Sequence, residues 1–355
     1  MSTPPKSKRC TIKDVAAEAE VSISTVSLAM SGKGYVRADT RARVRKAAQH
    51  LGYVPTLAAR QLAAQETGNV GFVLRADHFT RSEPFYTHIF LGAEYEADQH
   101  GLYVLLTTIP EVYVPGEHTP RFLRERNVDG VLVAGKVDPA VVAEVETADL
   151  PFVLIDLEMD HHPAALIDNQ SGARAAVEHL LDRGHRRIAF IGADMEHPSL
   201  RSRLDGYRLA LNAAGLTPDP TLIITAPQGN PDRETGMLLG EQLLACKPRP
   251  TAVFCVNDAL ALGVLDLASR QDIAVPDTLA VVGFDDVDGA KNATPALSTV
   301  RVFKEQLGEL ALRYLTELIA GHTRRGTPYK RGHHTIKVPT EMVVRASSNV
   351  MRNTA

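Results

Sequence analysis

Apolar positions along the chain fall into two regimes. Between residues 11 and 51 they recur every three or four positions. Ile12, Val15, Ala16 and Ala19 form one set, Val26, Ala29 and Met30 a second, and Val44, Ala47, Ala48 and Leu51 a third. This spacing predicts three helices, over about 12–19, from Ser22, and over about 38–50, with Thr11 as the N-cap of the first. Beyond residue 67 the apolar positions run together in blocks at 70–74, 103–106, 130–133, 152–155, 187–191, 252–256 and 279–282. These read as buried parallel strands. Amphipathic stretches at 86–99, 171–183, 202–214, 233–245, 258–271 and 304–320 separate them. Alternation of this kind predicts doubly wound α/β sheets, and the length fits two halves.

Two short helices with a tight turn, closed by a third, make a helix-turn-helix domain. Val26, Ala29 and Met30 of the second helix face its small core. That leaves Ile23, Ser24, Ser27 and Leu28 towards the outside. A major groove admits one such helix, and short polar side chains near its start can approach base edges and phosphates. The same pattern also fits a generic three-helix knob with a solvated charged face.

Charge favours the nucleic-acid reading. Residues 1–66 carry eleven Lys and Arg against five Asp and Glu, a formal +6. The remaining chain carries 28 against 37, a formal −9. A basic segment on an acidic body points to a polyanion partner for the first segment alone. The stretch from Thr56 to Ala63 could form a helix of only about seven residues, too short to hold alone in water. It would order on a partner, or serve as a plain linker.

Composition narrows the alternatives. No run of 18 apolar residues suggests a membrane span, and MSTPPKSKRC leads into no apolar stretch of a secretory signal. The chain is expected in the cytoplasm. Cys10, Cys246 and Cys255 have neither disulfide-framework nor zinc spacing. The pairs His161-His162 and His333-His334 lack metal-site spacing and read as loop or surface histidines. No nucleophile elbow, P-loop or dinucleotide fingerprint stands in proper context, so no enzyme activity, cofactor or metal is expected.

Three segments carry a close resemblance: TIKDVAAEAEVSISTVSLAMSG, TRARVRKAAQHLGYVP and AARQLA. They resemble the headpiece and hinge of the LacI/GalR family of bacterial regulators. The resemblance implies that the second helix enters the major groove, with Ile23, Ser24 and Leu28 at the base-reading positions. It implies phosphate contacts from Ser22, Thr25, Ser27, Thr40 and Tyr53. It places a hinge helix in the minor groove, where Leu62 wedges a base step beside Ala59 and Arg60. Two departures stand out. Glu20 sits where many members have glycine, at a cost of about 1 kcal/mol if the turn needs a positive φ. Leu28 sits where many have arginine, exchanging a guanine contact for a thymine methyl.

The resemblance continues through VDGVLVAG, LPFVLIDLE, RLDGYRLAL, TAVFCVNDALALGVL, VVGFDD and VPTEMVVRASS. It implies a core similar to type I periplasmic binding proteins, with a small molecule between two subdomains. Residues just after strands are the candidates for that cleft. The implied effector contacts are Phe85, Tyr86, Asp156, Arg203, Asn257 and Asp285. Asp258 and Asp286 read instead as helix caps or turn formers. Pro231 stands where several members carry an aromatic effector contact, and Asp77 and Arg81 have no assigned place.

The expected domains are a headpiece at 1–54, a hinge at 55–66 and a core at 67–345. Within the core, 67–166 plus 300–328 would form one subdomain and 167–299 plus 329–345 the other. Residues 346–355 would be a flexible tail. The implied function is a homodimeric repressor of a palindromic operator, controlled by a sugar. A purine fits the same chemistry, which keeps a nucleobase-responsive corepressor type open. So does a cytoplasmic sugar-binding or sugar-processing protein without specific DNA recognition.

Overall fold

The computed structural model describes residues 10–31, 35–53, 66–78, 85–159, 161–227, 229–325 and 334–351. The expected hinge contacts Ala59, Arg60 and Leu62 lie outside them, as does Arg81. The chain divides into two compact units, one holding residues 1–68 with 127–129 and the other the remainder.

The smaller unit contains helices α1 (Ile12–Glu18), α2 (Ile23–Ser31) and α3 (Ala38–His50). The Asp14 carboxylate accepts from both the N–H and the hydroxyl of Thr11, at 2.7 Å each, which closes the start of α1. The chain leaves α1 through Glu20 at φ 53, so the turn does need the left-handed conformation. Val15, Ala16, Ala19, Val26, Ala29, Val44, Ala47 and Ala48 make the shared core. These are small side chains, and small side chains let three short helices approach closely.

In the larger unit the elements alternate as the apolar blocks predict. They are β1 (Asn69–Arg75), α4 (Phe85–Gln99), β2 (Tyr103–Ile109), α5 (Arg121–Arg124), β3 (Gly130–Ala134), α6 (Pro139–Thr147), β4 (Phe152–Ile155) and β5 (Ala164–Ile167). Next come α7 (Asn169–Asp182), β6 (Ile188–Ala193), α8 (Pro198–Ala213), β7 (Ile223–Ala226), α9 (Arg233–Ala245), β8 (Ala252–Cys255), α10 (Asp258–Arg270) and β9 (Ala280–Val282). The last are α11 (Asp288–Asn292), β10 (Thr299–Val302), α12 (Lys304–Arg325), β11 (Thr335–Val338) and β12 (Thr340–Val343). One parallel sheet has the order β11-β5-β4-β3-β1-β2, and a second the order β7-β6-β8-β9. An antiparallel pair, β10 with β12, accompanies them.

Register places the carboxyl ends of neighbouring strands together. Ala134 lies opposite both Leu74 and Ile155, and Cys255 lies opposite Ile191. Residues that follow these strands therefore emerge side by side. Helices α4 and α12 cross closely at glycines. A methyl group at Gly92 would collide with the Glu305 carbonyl, and one at Gly308 with the Ile89 carbonyl. That approach brings the first residues of the two helices, Phe85 and Lys304, next to each other.

Two boundaries differ from expectation. Strand β11 does not join the second half; it extends the first sheet beside β5. Hydrophobic blocks report burial but not the sheet that buries them. The expected tail is not a tail at residues 346–348. Ser347 and Ser348 are fully buried, and Ser347 Oγ donates to the Val281 carbonyl and accepts from Ser298 N–H. A polar tripeptide looked solvated by composition, yet its hydroxyls close hydrogen bonds inside the fold. Three further elements have weak local signals: α6, β5 and β7, the last two only four residues long.

Candidate functional site

The first surface is the outer face of α2. Ile23 and Leu28 are 45% and 42% exposed, unusual values for large apolar side chains on a helix with a core of its own. Ser22 and Ser24 are also exposed, while Thr25 and Ser27 are half-buried. The hydroxyls form a local cluster. Ser22 Oγ accepts from Thr25 N–H at 3.1 Å, as the N-cap of α2, and lies 2.8 Å from both Ser24 Oγ and Thr25 Oγ1. Ser22 thus holds the helix start as well as standing on its surface. Thr40 is tied to Asp39, whose Oδ1 accepts from Thr40 N–H at 2.8 Å. Tyr53 packs on the headpiece core, and burial raises its phenol pKa. The structure thus gathers Ile23, Ser24 and Leu28 on one face, and sets Tyr53 partly into the interior.

The second site is a cleft in the larger unit, where the carboxyl ends of both sheets meet. A cavity of about 970 Å³ lies there, lined among others by Phe85, Asn257, Asp285, Arg301, Phe303 and Lys304. Asp285 stands in its wall, paired with the buried Arg203. The Arg203 guanidinium sits 3.7 Å above the Phe284 ring and donates to Asn169 Oδ1 and the Val256 carbonyl, each at 2.8 Å. Its Nη1 lies 3.1 Å from Asp285 Oδ1. Asp285 has φ 109, a strained value for a residue with a side chain, and burial raises its carboxyl pKa against the pull of Arg203 and Lys304. Lys304 donates from Nζ to the Asp285 backbone carbonyl, and burial lowers its pKa.

Tyr86 and Asp156 are buried nearby, with Tyr86 against the lining residue Phe85. Tyr86 O–H donates to Asp156 Oδ2 at 2.9 Å, and Ser199 Oγ donates to Asp156 Oδ1. Burial and the Asp156 charge push the Tyr86 phenol well up, so it stays protonated and donating. His78 stacks on Tyr86 with centroids 4.9 Å apart and planes 12° apart. Burial pulls the His78 pKa down to about 4, which leaves it a neutral imidazole. His197 is buried beside Asp156, with Nε2 3.9 Å from Oδ2, and burial lowers its pKa as well. The cleft therefore offers acidic and basic groups beside the Phe85 and Phe303 rings, with the neutral Tyr86 and His78 packed behind. Such a set can hydrogen-bond a polar molecule.

Of the six expected cleft residues, Phe85, Asn257 and Asp285 line the cavity, while Tyr86, Asp156 and Arg203 are buried. Asn257 is an N-cap: Oδ1 accepts from Leu260 N–H at 3.0 Å and Nδ2 donates to the Pro231 carbonyl at 2.7 Å. Its amide lines the cavity but is engaged with its own chain. Asp258 and Asp286 are structural, as their sequence context predicts. Asp258 accepts from Val287 N–H and the Thr299 hydroxyl, and Asp286 accepts from Arg301 and Arg345. Asp77 pairs with Arg75.

The sequence reading missed His78, Lys136, His197, Ser199 and Lys304. Lys136 stands two residues after β3 and bonds Asp194 at 3.0 Å, so its place after a strand was a usable signal. Nothing local marks His197 or Lys304. No group of three potential metal ligands occurs among the described residues.

Comparison with known proteins bears on both sites. Residues 11–56 match the family described as bacterial regulatory proteins, lacI family, and residues 177–348 match a periplasmic binding protein-like domain. The chain is 32% identical over 348 residues to the HTH-type transcriptional repressor CytR of Escherichia coli (strain K12), covering 96% of this chain and 97% of that protein. It is 32% identical over 313 residues to the HTH-type transcriptional repressor PurR of Vibrio atlanticus (strain LGP32), covering 87% and 92%. Among solved structures, the transcriptional regulator CelR–cellobiose complex matches with a TM-score of 0.69 at 31% identity, over 96% of this chain and all of that one. The lac repressor dimer bound to operator and the anti-inducer ONPF matches with a TM-score of 0.76 at 26% identity, over 96% and 99%.

Proposed function

This chain belongs to the LacI family of bacterial regulatory proteins, and from that premise we propose that it is an operator-specific, cytoplasmic transcriptional repressor working as a homodimer under control of a sugar. The observation that carries the reading is the pair of exposed apolar side chains, Ile23 and Leu28, on a capped helix that already has a core. A methyl-rich face of that kind is matched by thymine methyls in a major groove. Ser24 would meet a base edge. Ser22, Thr25, Ser27, Thr40 and Tyr53 would face phosphates, with the Ser22 cluster opening to present its hydroxyls. Ala59, Arg60 and Leu62 would engage the minor groove from the segment at 55–66. Two chains would read a two-fold operator.

In the cleft, Asp285, Arg203 and Tyr86 would hold sugar hydroxyls and Phe85 would stack on a ring face. The cellobiose complex of the similar regulator supports this class. Binding there would change the relation of the two sheets, and coupling to DNA would be reciprocal: effector weakens operator binding about 5–150-fold, and operator weakens effector binding by the same factor.

A gel shift with the DNA upstream of the protein's own gene, at two salt concentrations, tests the reading. A specific shift that cellobiose or another sugar releases is expected. No shift at low salt would sink it. A shift that hypoxanthine strengthens would replace the sugar with a corepressor base.

A further inference from the structure

Five basic side chains line the cavity of the larger unit, and four of them already have an acid. Arg233 bonds Asp266 at 2.6 Å, and Arg301 bonds Asp286 at 2.8 Å. Lys291 lies 3.4 Å from Asp288, and His88 lies 3.2 Å from Glu305. The fifth is Lys304. Among the described residues its ammonium has one acceptor, the backbone carbonyl of Asp285, and no ion-pair partner.

The acids around Lys304 are engaged elsewhere. The Asp285 carboxylate faces Arg203, and Asp286 accepts from Arg301 and Arg345. Burial and the Asp285 charge push the Asp258 carboxyl well up, so it has little charge to offer. Glu305 is exposed and tied to His88, and Glu309 acts on Arg313 further along α12. An ammonium drawn out of water without a carboxylate is costly, and burial lowers the Lys304 pKa accordingly. Its position adds to the mismatch. Lys304 opens α12, where the helix dipole disfavours a cation and favours an anion. Phe303 precedes it, and a phenyl ring cannot cap the first N–H groups. On the same wall, Asp285 Oδ1 lies 3.1 Å from Arg203 Nη1 but is shielded from solvent without an aligned donor. The wall thus lacks an anion at Lys304 and a donor at Asp285.

We propose that the cleft ligand is a sugar acid, with its carboxylate on Lys304 and the first turn of α12 and a hydroxyl donating to Asp285. The inference rests on the sugar reading above and narrows it. One unpaired ammonium matches one negative charge. A carboxylate supplies that charge, whereas a phosphate monoester brings about −1.5 to −2. The Phe85 ring centroid lies 5.7 Å from Lys304 Nζ, so a sugar ring against Phe85 holds its carboxylate within reach of the ammonium.

Isothermal titration calorimetry of the full chain provides the test. The probes are gluconate, galactonate, glucuronate, galacturonate and cellobionate, each beside its neutral parent sugar, with glucose 6-phosphate and hypoxanthine. At least one acid should bind about 10–100-fold more tightly than its parent, the worth of a hydrogen bond to a charged group. Lys304→Met should erase that advantage, so that acid and parent bind alike. Without ligand, Lys304→Met should unfold at the same temperature as wild type or higher, because an uncompensated charge is gone. A neutral sugar that binds as tightly as its acid would overturn the carboxylate and leave the sugar reading standing. Tighter binding of glucose 6-phosphate than of any acid would replace the carboxylate with a phosphate. Hypoxanthine binding in place of every sugar would overturn both readings. Absence of binding by all five acids would overturn the inference, as would an undiminished preference for acid in Lys304→Met. Earlier unfolding of the unliganded variant would also overturn it, by making Lys304 a support of the fold.

Discussion

In the core, arginines meet acids. Arg75 bonds Asp77 at 2.9 Å, Arg187 bonds Asp219 at 2.9 Å, Arg301 bonds Asp286 at 2.8 Å and Arg313 bonds Glu96 at 3.0 Å. In the headpiece, Arg37, Arg41 and Arg45 have no such partner among the described residues, and Ile23 and Leu28 are 45% and 42% exposed. The core pairs these charges internally and, among its described residues, holds a cleft. The headpiece, with eight small apolar residues inside, leaves much of its chemistry for something outside to complete. The difference separates a unit that folds around its function from one that finishes its function on contact.

Arg203→Ala should test the self-completed side hardest. It strands the buried Asp285 carboxylate, and breaking a buried pair costs about 3–5 kcal/mol. Calorimetry should show the core transition falling while the headpiece transition stays. An unchanged core transition would mean that the cleft, like the headpiece, waits for its partner to be stable.

Acid should separate the two units next. His78 has a folded pKa of about 4, below its ordinary 6.5. Protonation is therefore costly in the folded core. The associated stability is complete above about pH 6.5 and is lost as pH falls towards 4, up to about 3 kcal/mol. The charges of Asp77, Arg75, His197 and Asp156 act on the ring as well. His78→Gln should flatten the pH dependence of core unfolding. If the slope persists in that variant, other carboxylates or His197 carry it.

Leu28→Arg sharpens the headpiece side. It adds a bidentate donor to a face that now has few, and should shift operator preference towards guanine by about 1–3 kcal/mol. Selection from a randomised operator library would detect it, and an unchanged preference would remove residue 28 from the base-reading set. Glu20→Gly should have the smallest effect, stabilising the headpiece by about 1 kcal/mol by relieving the positive φ. Thermal unfolding measures it; destabilisation would mean that the glutamate contributes more than its backbone costs.

Much of this was readable along the chain. Helical spacing located α1, α2 and α3, and apolar blocks located seven of the strands. Glu20 pointed to a strained turn only through the resemblance, where many members have glycine, and the structure gives it φ 53. The placement of Asp156 and Asp285 after strands made both candidates for the cleft, and the family resemblance singled out Asp285. Other features had no local trace. Residues 335–338 carry the same β pattern whichever sheet they join. Ser347 and Ser348 look like a solvated end. Asn257 reads equally well as a cap or a ligand contact.

Periodicity and chain order were enough for the element types, the two-part organisation and the basic headpiece, because each depends on neighbours within a few residues. Contacts between distant segments settled the rest. Lys304 reaches Asp285 only because glycines at 92 and 308 let two helices close on each other. His78 resists protonation down to about pH 4 only because packing against Tyr86 and its surroundings partly buries it. Burial and hydrogen-bond partners are properties of the packed molecule, and they decide which polar side chains are spent on the fold and which remain for a ligand.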